Sequence, residues 1–178
     1  AGHNRFDFSA ITSGVQVTLT ALGSIHGFQG GVTGLLIGVF DNVDELVGSS
    51  GMDTLIGMND SAAWELDGTD RYLAGGRTLD FSSFEPLVGG SAVDNFTVVG
   101  ERSVSINAGD GDDFITLVDG AAVSGSINGG AGSDTLNYAL YNTPVVVNLA
   151  TLTATGISGV LQNVENITGG SASDMLIG

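Results

Sequence analysis

One loop pattern returns five times along this chain, and a fold made of unrelated turns would have no reason to repeat it. Aligned on an aspartate, the segments are LVGSSGMDTLIG (46–57), LVGGSAVDNFTV (87–98), INAGDGDDFITL (106–117), INGGAGSDTLNY (127–138) and ITGGSASDMLIG (167–178). The aspartates, Asp53, Asp94, Asp113, Asp134 and Asp174, were used for the alignment, so the other columns carry the argument. Two residues before each loop stands Leu46, Leu87, Ile106, Ile127 or Ile167; two after each aspartate stands Leu55, Phe96, Ile115, Leu136 or Leu176. Loops open on Gly48, Gly89, Ala108, Gly129 and Gly169. Self-similarity of this kind outranks local propensity as a guide to architecture.

A longer unit contains the loop. FDFSAITSGVQVTL (6–19) matches LNYALYNTPVVVNL (136–149), and DNVDELVGSSGMDTLIG (41–57) matches QNVENITGGSASDMLIG (162–178). LDFSSFEPLVGGSAVDNF (79–96) keeps the same opening and closing with its middle removed. The chain thus divides into long repeats at 6–57 and 136–178, a shortened one at 79–98 and short units over 99–135, all within one array spanning 1–178.

Successive aspartates lie 41, 19, 21 and 40 residues apart, one or two periods of about 20. Short alternating runs lie between the turns: VQVTL (15–19), VSIN (104–107), FITLV (114–118) and VVVNL (145–149). No stripe of apolar residues at helical spacing appears, so little or no helix is expected. These features predict an all-β fold, a right-handed parallel β-solenoid (β-helix or β-roll) with coils of about 20 residues stacked about 4.8 Å apart. An antiparallel β-sandwich is the rival, since it also uses short strands and glycine turns.

Charge narrows the function. Twenty acidic residues face four arginines and no lysine, a formal net charge of −16. Nucleic-acid phosphates and anionic membranes would repel such a chain, whereas cations would be drawn to it. No apolar run reaches membrane-spanning length, so no membrane insertion is expected. Ala1-Gly2-His3 has neither the basic start nor the apolar stretch of a signal peptide, which suggests a mature product or excised fragment. Without cysteine there is neither a disulfide framework nor a thiolate metal site.

Residues 129–137, GGAGSDTLN, and with one departure 108–116, AGDGDDFIT, resemble the glycine-rich calcium-binding nonapeptide of RTX (haemolysin-type) proteins. The wider pattern is similar to the repetitive regions of large bacterial surface and adhesin proteins. Here the loop comes once per about 20 residues rather than back to back, so one edge alone would carry it. The resemblance implies calcium as the bound ion, a secreted or cell-surface location, and ligands among Asp94, Gly109, Asp110, Gly111, Asp113, Gly130, Gly132 and Asp134. Physical chemistry agrees: a column of aspartates repels itself, and calcium takes six to eight oxygens from carboxylates and carbonyls. The bland alternative is that each aspartate only closes its own turn, and it carries more weight at Asp53 and Asp174, whose loops lack a glycine. Asn107 and Asn128, at the same spacing, are expected to form an amide ladder.

Catalytic patterns are missing. His3 and His26 have no metal-ligand spacing, and neither a nucleophile elbow nor a phosphate loop exists. Arg71 and Arg77 are expected to neutralise a patch around Asp70 and Asp80, and Trp64 to anchor a core or edge. The sequence therefore favours a non-enzymatic extracellular module, a calcium-responsive stalk or adhesin segment contacting carbohydrate or a cell-surface receptor. A self-assembling surface-layer or filament subunit, stacking end to end through MLIG (175–178), is the alternative. A carbohydrate-active enzyme ranks third, for want of a catalytic constellation.

Overall fold

The structure, a computed structural model, describes residues 2–33 and 38–178. Among them the secondary structure is all strand and turn, as the missing helical periodicity predicts. The strands form four sheets of nine, eight, three and two members.

In the nine-stranded sheet the spatial order is Arg5–Asp7, Glu45–Val47, Arg77–Ser82, Arg71–Ala74, Ala62–Leu66, Asp94–Val98, Phe114–Leu117, Thr135–Asn137, Asn166–Thr168. The eight-stranded sheet runs Leu161–Gln162, Ile127–Ala131, Ser105–Asp110, Pro86–Val88, Thr54–Ile56, Gln16–Leu22, Phe28–Thr33, Val39–Val43. From residue 86 to 137 the pairing is parallel and matches the sequence alignment column for column. Phe96 lies beside Ile115 and Ile115 beside Leu136, while Leu87, Ile106 and Ile127 are neighbours in turn.

The expected single right-handed parallel solenoid with uniform coils is nevertheless wrong. The sheets are mixed, and none closes on itself. Gln16–Leu22, Phe28–Thr33 and Val39–Val43 form an antiparallel meander, as do Ala62–Leu66, Arg71–Ala74 and Arg77–Ser82. Val146–Asn148 also pairs antiparallel with Thr153–Ala154. The physical reason is local. Ala74 pairs with Arg77 across Gly75-Gly76, both at positive φ, a two-residue connection whose twist suits an antiparallel hairpin. The residues between the first long repeat and the shortened one thus close on themselves as a hairpin instead of travelling one more circuit.

Alternation places one side of most strands inside, whereas all three residues of Met175–Ile177 are exposed. Trp64, fully buried, stacks on Phe96 with centroids 5.1 Å apart and 11° between planes, and meets Tyr72 edge-on at 4.6 Å. Trp64 is therefore a core anchor. The aliphatic columns flanking the loops, Leu55, Leu87, Ile106, Ile127 and Leu161, are at most 2% exposed. Burying each such side chain contributes about 1.5–3 kcal/mol, which holds the repeats in register.

Candidate metal centre

The loop aspartates point inward. Asp53, Asp94, Asp113 and Asp134 are fully buried, among the few buried polar side chains of the described residues. An aspartate two positions before an inward aliphatic residue shares its face of the strand, because side chains alternate. Each therefore sits at the mouth of the apolar core, where an anion is costly.

Asp53, Asp113 and Asp134 each accept from a backbone amide in the preceding unit. The Asp94 amide donates to Asp113 Oδ1 (2.8 Å) and the Asp113 amide to Asp134 Oδ1 (2.9 Å). Val15 donates to Asp53 Oδ1 (2.6 Å), and Val145, its counterpart in the last long repeat, to Asp174 Oδ1 (3.0 Å). Two of the column amides are met by a glutamate instead: the Asp53 amide donates to Glu85 Oε2 (2.9 Å) and the Asp134 amide to Glu165 Oε2 (2.8 Å). At the first long repeat, Asp44 Oδ2 accepts from the Asn4 amide (2.9 Å). Asp44, Glu85 and Glu165 are equivalent in the alignment, and Asn42, Ser83 and Asn163, two residues earlier, all adopt positive φ. Sequence reasoning missed these three acids, although their shared place before an aliphatic residue was the available signal.

The second carboxylate oxygen divides the loops into two kinds. At 48–53 the Ser49 amide donates to Asp53 Oδ2 (2.5 Å) and the Ser49 hydroxyl to Oδ1 (2.8 Å). At 89–94 the Gly90 amide donates to Asp94 Oδ2 (2.7 Å) and Trp64 Nε1 to Oδ1 (3.2 Å). At 108–113 and 129–134 there is no such donor among the described residues: Asp113 Oδ2 and Asp134 Oδ2 are buried without a partner there. The cause is backbone conformation. Gly109, Gly111, Gly130 and Gly132 adopt φ of 111°, 121°, 116° and 135°, which only glycine accepts readily. The backbones also stack closely, since a side-chain carbon on Gly130 or Gly132 would collide with the carbonyl oxygen of Gly109 or Gly111.

Electrostatics follow the geometry. Burial pushes the Asp113 carboxyl up to about 7 and the Asp94 carboxyl up to about 6; it raises Asp134 as well. Neighbouring carboxylates add to this at Asp113 and Asp134.

Of the eight residues expected as ligands, Asp113 and Asp134 thus come together with an oxygen to spare, and Gly109, Gly111, Gly130 and Gly132 shape their loops. Asp94 joins the column, but both of its oxygens have donors. Asp110 is exposed, its amide bonded to the Gly90 carbonyl. Among the described residues no group of three or more His, Cys, Asp or Glu side chains is placed to hold a metal ion. A cation here would rest on two carboxylates and on backbone carbonyls. The orphaned oxygens fit that role, because a buried carboxylate with a free lone pair calls for either a proton or a cation.

The remaining expectations fare unevenly. The amide ladder exists: Asn128 donates to Asn107 (3.0 Å) and Asn163 to Asn128 (2.7 Å). Arg71 pairs with Glu65 (2.7 Å) and Asp67 (3.2 Å), while Asp70 is held by Arg102 (2.6 Å). Arg77 neutralises no acid, donating instead to the carbonyls of Gly23 and Gly27. His26 is half-buried against Asp44 (3.0 Å). Comparison with known protein families, curated proteins and solved structures found no match.

Proposed function

We propose that this chain is a non-enzymatic, calcium-responsive repeat module, a stalk or adhesin segment of a large secreted bacterial surface protein. The calcium part is supported above all by the unpartnered Oδ2 atoms of Asp113 and Asp134, one above the other in glycine-shaped loops. The extracellular and bacterial part is supported by the sequence resemblance. When bound, calcium would supply the positive charge that two buried carboxylates otherwise lack. The protein's share is to hold those carboxylates in place through the amides of Asp94 and Asp113, and to keep competing donors away.

A cation that binds only the folded chain stabilises it by mass action, about 2.7 kcal/mol at one hundred times the dissociation constant. The melting temperature is therefore expected to rise between chelator and millimolar calcium. Magnesium should do less, since it holds its water and demands tight octahedral geometry. Asp134→Asn should remove most of the calcium effect and leave the chelated protein no less stable, because a buried charge is gone. An unchanged melting temperature, or equal stabilisation by magnesium, rules out the calcium reading.

A further inference from the structure

We infer that the chain holds a single cation position, between the loops at 108–113 and 129–134, and that Ala92 and the Trp64 indole keep the adjoining loop at 89–94 from forming a second. This rests on the calcium reading above and fixes its stoichiometry.

The loop at 89–94 is next in the same column. A side-chain carbon on Gly109 would meet the Gly90 carbonyl, and one on Gly111 the Ala92 carbonyl, so the two loops lie one against the other. Its sequence, Gly89-Gly90-Ser91-Ala92-Val93-Asp94, departs from 129–134 in glycine placement only at the fourth position. There Ala92 stands where Gly111 and Gly132 adopt φ of 121° and 135°. An L side chain resists that region, and Ala92 is not found in it. Gly90, freed of the demand, does not adopt it either.

The consequence is a different set of donors. The Gly90 amide fills Asp94 Oδ2 at 2.7 Å, and the Trp64 indole reaches Oδ1 from the neighbouring strand at 3.2 Å. Both oxygens are then satisfied by the protein's own dipoles, and a cation would have to displace bonds to a charged acceptor, which are stronger than neutral ones. The loop at 48–53 arrives at the same state by another route. There the second-position glycine is replaced, and Ser49 donates from both its amide and its hydroxyl. Among the four loops whose aspartate is fully buried, the spare oxygen is kept only where glycine stands at both the second and the fourth positions, as in 108–113 and 129–134; Asp174, behind Ala172, is only partly buried and accepts its Oδ1 bond from Val145.

The test is calorimetric titration of the full chain with calcium, counting ions bound. Wild type is expected to bind one and Ala92→Gly two. Asp94→Asn should leave the wild-type dissociation constant within about threefold, while Asp134→Asn should weaken it by about tenfold or more, where tenfold corresponds to about 1.4 kcal/mol. Should Ala92→Gly fail to fold, the contrast between the two asparagine variants decides. Two ions on the wild type, one ion on folded Ala92→Gly, or equal losses from the two asparagine variants overturn the inference while leaving the calcium reading standing. No binding to the wild type overturns the calcium reading itself.

Discussion

Replacing Trp64 by Phe isolates one bond in the candidate centre, because the smaller ring keeps the stack on Phe96 but has no N–H for Asp94. A hydrogen bond to a charged group contributes about 1.5–3 kcal/mol, and the 3.2 Å separation puts this one near about 1.5 kcal/mol. The lost ring atoms leave a small void beside Tyr72, adding roughly 1–1.5 kcal/mol. The total at pH 8 in chelator is about 2.5–3 kcal/mol. Because burial pushes the Asp94 carboxyl up to about 6, at pH 4.5 the native side chain is protonated, and its bond to the indole is worth an ordinary neutral one. The penalty should then shrink by about 0.5 kcal/mol. Urea denaturation of wild type, Trp64→Phe, Asp94→Asn and the double variant, at both pH values, measures this directly. A penalty identical at the two pH values, with a coupling energy under about 0.5 kcal/mol in the double-mutant cycle, would refute the claim that the indole holds a carboxylate.

Two further outcomes can be checked on the chelated protein. Asp94, Asp113 and Asp134 all have folded values raised by burial, so their ionisation costs stability. Stability should fall as pH rises from about 4 through 7 and level off above, whereas below about 4 the carboxyls of Asp7 and Asp41, held down by Ser9 and Ser24, lose their contribution; a denaturation series flat across pH 4–7 contradicts this. Ile127→Asp places a charge between Ile106 and Leu161 with nothing to pair it, and a soluble variant that still unfolds cooperatively would show that this column is not the interior.

How much of this could be read in the sequence varies by feature. The column positions were legible because inward and outward residues alternate, so Leu87, Ile106 and Ile127 fell out of the alignment made on the aspartates; the burial of those aspartates did not. The glycines at the second and fourth positions marked 108–113 and 129–134 in the sequence, but Asp94, expected among the ligands, was not told apart from them, because its donors are visible only in the fold. The antiparallel meanders were hidden because a repeat that pairs parallel and an insertion that folds back share short strands and glycine turns. Gly75-Gly76 between alternating runs was the local sign of the second meander, outweighed by the longer period. Trp64 reaching Asp94 could not be foreseen, since the contact joins residues 30 apart through a strand order that departs from the simple repeat.

The direction of the carboxylate bonds has a consequence for how the chain is made. In each of the joints made by a column aspartate or by Glu85 or Glu165 the acceptor lies later in the sequence than the amide it satisfies: 38 residues from Val15 to Asp53, 32 from Asp53 to Glu85, 19 from Asp94 to Asp113, 21 from Asp113 to Asp134 and 31 from Asp134 to Glu165. A chain emerging N-terminus first can finish no unit until the next has followed it out. The newest unit always presents an unsatisfied amide, which the acid still to come will cover, so maturation proceeds one way along the polypeptide and trails its growth by roughly one unit. A stalled chain would be complete everywhere except at its leading edge.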